Sequence, residues 1–201
     1  MCGFGRTGSW FAYLDQDVKP DLVTFAKGVN SGYVPLGGVV INEAIVATFN
    51  DRVYPGGLTY SGHPLACAAA VATIEAMENE RVVENARRIG DDVLRPGLEE
   101  LAKKHQIIGD VRGLGVFFAL DLVTDQDTKE PLAPYGGSSP AINEILAACR
   151  EESLLIFNNY HRLHVVPPCT ITDDEAREGL VRLDRALSVA DKYYVGARSD
   201  D

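Results

Sequence analysis

The run DLVTFAKGVNSGYVPLGG, residues 21–38, places a charge where a folding chain can least ignore it. Four of the five residues from Leu22 to Ala26 are apolar and read as a buried strand, and Lys27 follows directly, ahead of a glycine-containing loop. A lysine at the carboxyl end of such a strand stands where ligands of open α/β sheets bind. Burial disfavours any ammonium and favours the nucleophilic amine, which forms Schiff bases with aldehydes. Pyridoxal phosphate is the commonest such aldehyde among protein cofactors. On spacing alone, a lysine that snorkels to solvent or pairs with a carboxylate is the commoner case.

Neighbouring sequence bears on that choice. GGLTYSG supplies the hydroxyls of Thr59, Tyr60 and Ser61 just before a helix signalled by Pro64, a suitable cradle for a phosphate. A glycine cluster by itself is more often only a turn.

The length of 201 residues lies between one average domain and two. With 46% hydrophobic and 24% charged residues, disordered and fibrous classes drop out. The net charge of −10 is spread along the chain, which disfavours a nucleic-acid partner. The longest apolar run, PLACAAAVATI, is far short of the roughly 20 residues that span a bilayer, so no membrane partner is expected. MCGFGRTGSW lacks the pattern of a secretory signal. Cys2, Cys67, Cys149 and Cys169 form no CxxC pair and share no metal-ligand spacing with His63, His105, His161 or His164. A reducing cytoplasm and no metal are expected.

Along the chain, the strand at Leu22 is followed by the loop 28–38, a second apolar run GGVVI and a short helix capped by Asn42. A long helix is predicted from Pro64 to about residue 80 and another from near Arg81, with Pro96 and Gly97 marking a break before LEELAKKH. VRGLGVFFALDLV reads as a turn and a strand, and residues 124–139 as a surface loop. Ser139 and Pro140 open a helix with Ile142, Ile145, Leu146 and Cys149 at helical spacing. LLIF and RLHVV read as strands. Thr172 and Glu175 form a capping box for a last helix with a Leu180, Leu183, Leu187 stripe. The second half is therefore an α+β unit.

GFGRTG, PDLVTFAKG, PLGGVV, TYSGHPLACAAA, VRGLG and VVPPCTITDDE, in this order, resemble the carboxyl-terminal half of a class III aminotransferase. The resemblance covers nearly the whole chain. It implies an α/β fold of type I, the fold of pyridoxal-phosphate-dependent transferases. Residues 1–95 would be part of the large, cofactor-binding domain and residues 96–201 the small α+β domain. It also implies that Lys27 is the catalytic Schiff-base lysine, that Thr59 is a phosphate ligand offered to the neighbouring subunit's cofactor, and that two copies share active sites. The activity implied is transfer of an amino group from an amine or ω-amino acid to a 2-oxo acid such as pyruvate.

The family pattern is departed from in two places. Family sequences usually carry an Asp-Glu pair before GFGRTG, and its aspartate partners the pyridine nitrogen; the chain does not contain it, nor the phosphate-holding glycine turn or the aromatic residue that stacks on the ring. Met1 is therefore expected to be an internal methionine of a longer protein, and the isolated chain to be catalytically incomplete and prone to aggregate through exposed apolar surface. Many members also have an arginine three residues before the paired prolines; His164 stands there, with Arg162 two residues earlier. Strand alternation keeps the two on one face, so both are candidate substrate-carboxylate contacts, while a surface ion pair fits Arg162 equally well. His63 before Pro64 and Arg6 in its glycine loop are more ordinarily structural. Alternatives are an aminomutase or decarboxylating transaminase on the same scaffold, or a silent or split-enzyme fragment.

Overall fold

A computed structural model describes residues 1–196; the end of the expected second domain, residues 197–201, lies outside the described residues. The chain divides between Glu84 and Asn85 into two compact units. In the first, β1 (Leu22–Ala26) pairs antiparallel with β2 (Gly37–Ile41), Leu22 opposite Ile41 and Ala26 opposite Gly37. The short helix α1 (Glu43–Ala47) follows, and the Asn42 side chain caps it by accepting from the Ile45 amide at 2.9 Å. Helix α2 (Pro64–Asn79) starts on its proline, and α3 (Val82–Ile89) follows a left-handed Arg81.

The expectation that β1 is buried is not met. Its residues alternate between exposed and half-buried, and Leu22 is 54% exposed. A two-stranded ribbon cannot cover its own faces; burial needs a layer against each of them. Helix α2 is similar: Ala66, Ala70 and Met77 are buried, but Leu65 and Val71 face outward on a helix that is apolar nearly all round.

The second unit has a full core. A hairpin of β3 (Ile108–Leu114) and β4 (Phe117–Leu122) replaces the expected turn and single strand. With β5 (Phe157–Asn159) and β6 (Arg162–Val165) it makes an antiparallel sheet of order β3-β4-β6-β5. Within the expected LLIF strand only Phe157 pairs, because β5 is a short edge. Phe118, Leu120, Leu122 and Leu163 are fully buried on one face of the sheet. They share a core with α5 (Pro140–Glu151), capped by Ser139, and with α6 (Asp173–Leu187), whose Thr172–Glu175 capping box is formed. Leu183 and Leu187 of the predicted stripe are buried there, and Leu180 packs against them.

No break occurs at Pro96 and Gly97. A π turn, Gly90–Leu94, leads straight into α4 (Arg95–Lys104), and the wider π turn just upstream lets the helix run on through Pro96, which itself donates no backbone hydrogen bond. A Cβ on Gly97 would lie 2.3 Å from the Leu180 side chain, so glycine permits the α4–α6 approach. The π turn also meets the hairpin: a Cβ on Gly90 would stand 2.1 Å from the Gly115 carbonyl oxygen. Arg95 ties the same corner, donating to the Gly113 carbonyl at 2.6 Å and lying over the Phe118 ring. The VRGLG motif is thus a hairpin tip shaped to receive a helix.

His105, at the end of α4, is fully buried. Its Nε2 lies 2.7 Å from Asp184 and its Nδ1 3.0 Å from Asp191, so one ring ties α4 to α6 and to the 3-10 turns Ser188–Tyr193. Burial also pushes the Cys149 thiol up to about 11, which leaves it protonated. His105→Ala removes both bonds and leaves a cavity where the buried ring stood, while Asp184 keeps its contact with Lys104. We expect it to cost the second unit about 2–4 kcal/mol in urea unfolding, whereas an exposed change such as Lys103→Ala should leave the urea midpoint nearly unchanged.

Candidate active site

Lys27 directly follows β1 and opens a 3-10 turn, Lys27–Asn30. Its backbone is left-handed (φ 51°), as is that of Ser31 (φ 53°) at the other end of the turn. Such a conformation costs a non-glycine residue roughly 1–2 kcal/mol, so neighbouring contacts must hold it. One comes from the GFGRTG loop. Phe4, itself left-handed (φ 55°), lies on Gly28, where a Cβ would stand 2.9 Å from that of Phe4. The Phe4 ring meets Phe25 and Phe11 edge-on, with centroids 6.1 and 5.3 Å away. Two distant motifs are thus one packed site, with the lysine at its rim.

The Lys27 side chain is exposed and makes no hydrogen bond or ion pair among the described residues. The desolvation expected of it is not supplied by the exposed ribbon on which it stands. What the geometry provides is an amine held at a fixed backbone position with its side-chain nitrogen unpaired among the described residues. Thr59 lies in an exposed loop whose turns, Ser61 N to Leu58 O at 3.0 Å and His63 N to Tyr60 O at 3.2 Å, feed α2. Its hydroxyl is likewise unpaired among the described residues. An unspent amine and an unspent hydroxyl fit an aldehyde cofactor bearing a phosphate. The His63 side chain does not bond backbone as expected; it precedes α2 without a capping bond, and its Nδ1 is enclosed without a partner. Arg6 is half-buried in its loop.

In the second unit, alternation along β6 places Leu163 in the core and both Arg162 and His164 on the opposite face. Asp121 of β4 is directly opposite Arg162 in register and lies 3.2 Å from its Nε. Neither atom has an aligned hydrogen-bond partner, so the contact is an ion pair and not a well-formed hydrogen bond. Arg112 pairs with the same carboxylate. His164 packs edge-on against Phe157, with centroids 5.3 Å apart. An apolar cavity of about 520 Å³ lies beside these strands, lined by Ile156, Phe157, His164, Leu180 and Leu183 among others. Asp121, Phe4 and Asn30 were not singled out from the sequence. Asp121 carries a readable signal, a charge on the off-beat of the alternating FALDL strand, whereas nothing local marks Phe4.

Among the described residues, no group of three or more His, Cys, Asp or Glu is placed to hold a metal ion, and no helix is long and apolar enough to cross a membrane.

Known proteins share this fold over part of their length. The structure superposes with a TM-score of 0.89 on taurine:2-oxoglutarate aminotransferase from Bifidobacterium kashiwanohense, solved with PLP and glutamate, at 40% identity over 96% of the chain and 43% of that protein. A PLP-bound amine transaminase from an uncultivated Pseudomonas species gives 0.86 at 34% identity, covering 94% of the chain and 43% of its own. Both are pyridoxal-phosphate aminotransferases of mixed α/β structure. The family profile Aminotransferase class-III matches residues 1–187, and the chain belongs to that family. Relatives include the taurine–pyruvate aminotransferase of Bilophila wadsworthia, 36% identical over 96% of the chain and 44% of the relative. The 4-aminobutyrate aminotransferase GabT of Escherichia coli is 39% identical over 94% of the chain and 42% of the relative. The chain therefore spans somewhat under half the length of the relatives it matches.

Two measurements follow from this geometry. Gly28→Ala forces Phe4 to shift and is expected to destabilise the first unit by about 1–3 kcal/mol, read by denaturant unfolding with Trp10 as the local probe. Burial, with the Arg162 charge next, lowers the pKa of His164; burial, Arg162 and Arg112 do the same for His161. The unfolded chain then takes up these protons first as the pH falls. The second unit should accordingly lose stability below about pH 6.5, before the carboxylates titrate, and His164→Phe should flatten that slope in urea midpoints measured from pH 7 to 5.

Proposed function

We propose that the chain is part of an aminotransferase that moves an amino group from an amine or ω-amino acid to a 2-oxo acid such as pyruvate, with pyridoxal phosphate bound at Lys27. The observation that carries this reading is an unpaired lysine, fixed by a left-handed backbone at the end of β1, in a chain of this family. The names of its relatives support the substrate class: taurine and 4-aminobutyrate carry their amino groups away from the acid end.

Pyridoxal phosphate, when bound, supplies an aldehyde that takes the amino group and a ring that accepts electrons from the adjoining bond. Lys27 Nζ holds that aldehyde between turnovers. When not holding the aldehyde, the same nitrogen would serve as the base that takes a proton from the donor's amino-bearing carbon and gives it back. Thr59 offers its hydroxyl to the phosphate of the neighbouring subunit's cofactor, so two copies share their sites. Arg162 and His164 face the carboxylate end of substrate. Asp121 already partners Arg162, so any carboxylate must compete with that ion pair or use His164. The large and small domains are assigned to residues 1–95 and 96–201.

A second reading, a silent or split-enzyme fragment, is favoured by the exposure of Lys27 and of the apolar ribbon that carries it. One experiment separates the two. With pyridoxal phosphate added, the purified chain should develop a yellow absorbance that Lys27→Ala abolishes, and borohydride should fix the adduct on the Lys27 peptide. A colourless wild type supports the silent reading.

A further inference from the structure

The turn that follows Lys27 contains a buried polar side chain with no part in the chemistry above. Asn30 is 1% exposed. Its Nδ2 donates to the Val34 carbonyl at 2.5 Å, and its Oδ1 accepts from the Gly32 amide at 3.2 Å. Its own carbonyl accepts from the Tyr33 amide at 3.1 Å, so the residue is bonded through side chain and main chain to Gly32, Tyr33 and Val34. A buried amide bonded on both ends is strongly specified, because removing it orphans a donor and an acceptor at once.

We propose that Asn30 is a positioning residue for Lys27, an inference that rests on reading Lys27 as the reacting amine. Lys27 and Ser31 bracket a single 3-10 turn in left-handed backbone, and neither would keep that conformation alone. Phe4 presses on the turn at Gly28, and Asn30 closes its far side against Gly32 and Val34. With the far side open, the turn relaxes toward ordinary backbone and swings the Lys27 Cα–Cβ bond. Lys27 has no side-chain partner to correct the error, so its nitrogen moves with its backbone. Asn30 therefore acts through the loop and not by contact with any ligand.

The test uses the full natural polypeptide expressed from its own gene, incubated with pyridoxal phosphate, reduced with borohydride and mapped by peptide mass. Asn30→Leu, similar in size and unable to hydrogen bond, should label Lys27 on the order of tenfold more slowly. It should also shift the pH at which the absorbance of the Lys27 adduct changes. Asn30→Asp keeps the acceptor for Gly32 and loses the donor to Val34, and should fall between the two. Leu163→Ala, in the core of the second unit, controls for stability: its melting temperature drops while its labelling rate and pH profile stay at the parent's values. Labelling by Asn30→Leu at the parent's rate with an unchanged pH profile overturns the role of Asn30 and leaves Lys27 as the reacting amine. A parent protein that labels at another lysine, or at none, overturns the reading of Lys27 and this inference with it. Should Asn30→Leu not fold, Asn30→Asp decides alone, and a rate equal to the parent's counts against the proposal.

Discussion

The backbone at Lys27 must turn left-handed for the first unit to exist in its present form. A strand that continued straight past Ala26 would carry the lysine onto one face of the ribbon and leave no turn to bring β2 back beside β1. The left-handed step is unfavourable for a lysine and persists because three elements agree on it. They are Phe4 resting on Gly28, Asn30 bonded across to Gly32 and Val34, and the pairing of Ala26 with Gly37. Glycine at 28 is needed for the first of these for want of room, since a Cβ there would stand 2.9 Å from the Phe4 Cβ.

The second unit shows what the first lacks. Its sheet has a covered face, and the period-two pattern of β4 and β6 sends Phe118, Leu120, Leu122 and Leu163 into a shared core with α5 and α6. The other face keeps the charges, where Asp121 faces both Arg112 and Arg162. A like arrangement of one carboxylate between two guanidiniums limits what either arginine can offer to an incoming anion, because each is already partly neutralised. Burial, with Arg162 next, holds the pKa of His161 and of His164 below the ordinary histidine value.

The exposed apolar residues of the first unit, Leu22, Val39, Val40 and Ile41 among them, are spread over both faces of the ribbon. Surface of this kind is typical of elements that end up between layers. The class III relatives are more than twice as long as the matched region.

The sequence by itself determined the local structure: β1 and β2, the Asn42 and Ser139 caps, the Thr172–Glu175 box, the start of α2 at Pro64, and the family itself, all carried by residues close together in the chain. It also put Arg162 and His164 on one face of a strand, since side-chain alternation follows from backbone geometry. It misjudged β1 as buried, because an apolar run reports a tendency to be covered and not whether a covering layer is present. It placed a break at Pro96 and merged two strands at VRGLG, because the π turn and the hairpin tip depend on the close approach of Gly90 to Gly115, residues far apart in sequence. The partners of Lys27's turn were hidden for the same reason. That Phe4 lies on Gly28, and that Asp121 holds Arg162, are facts of long-range packing, which only the folded chain decides.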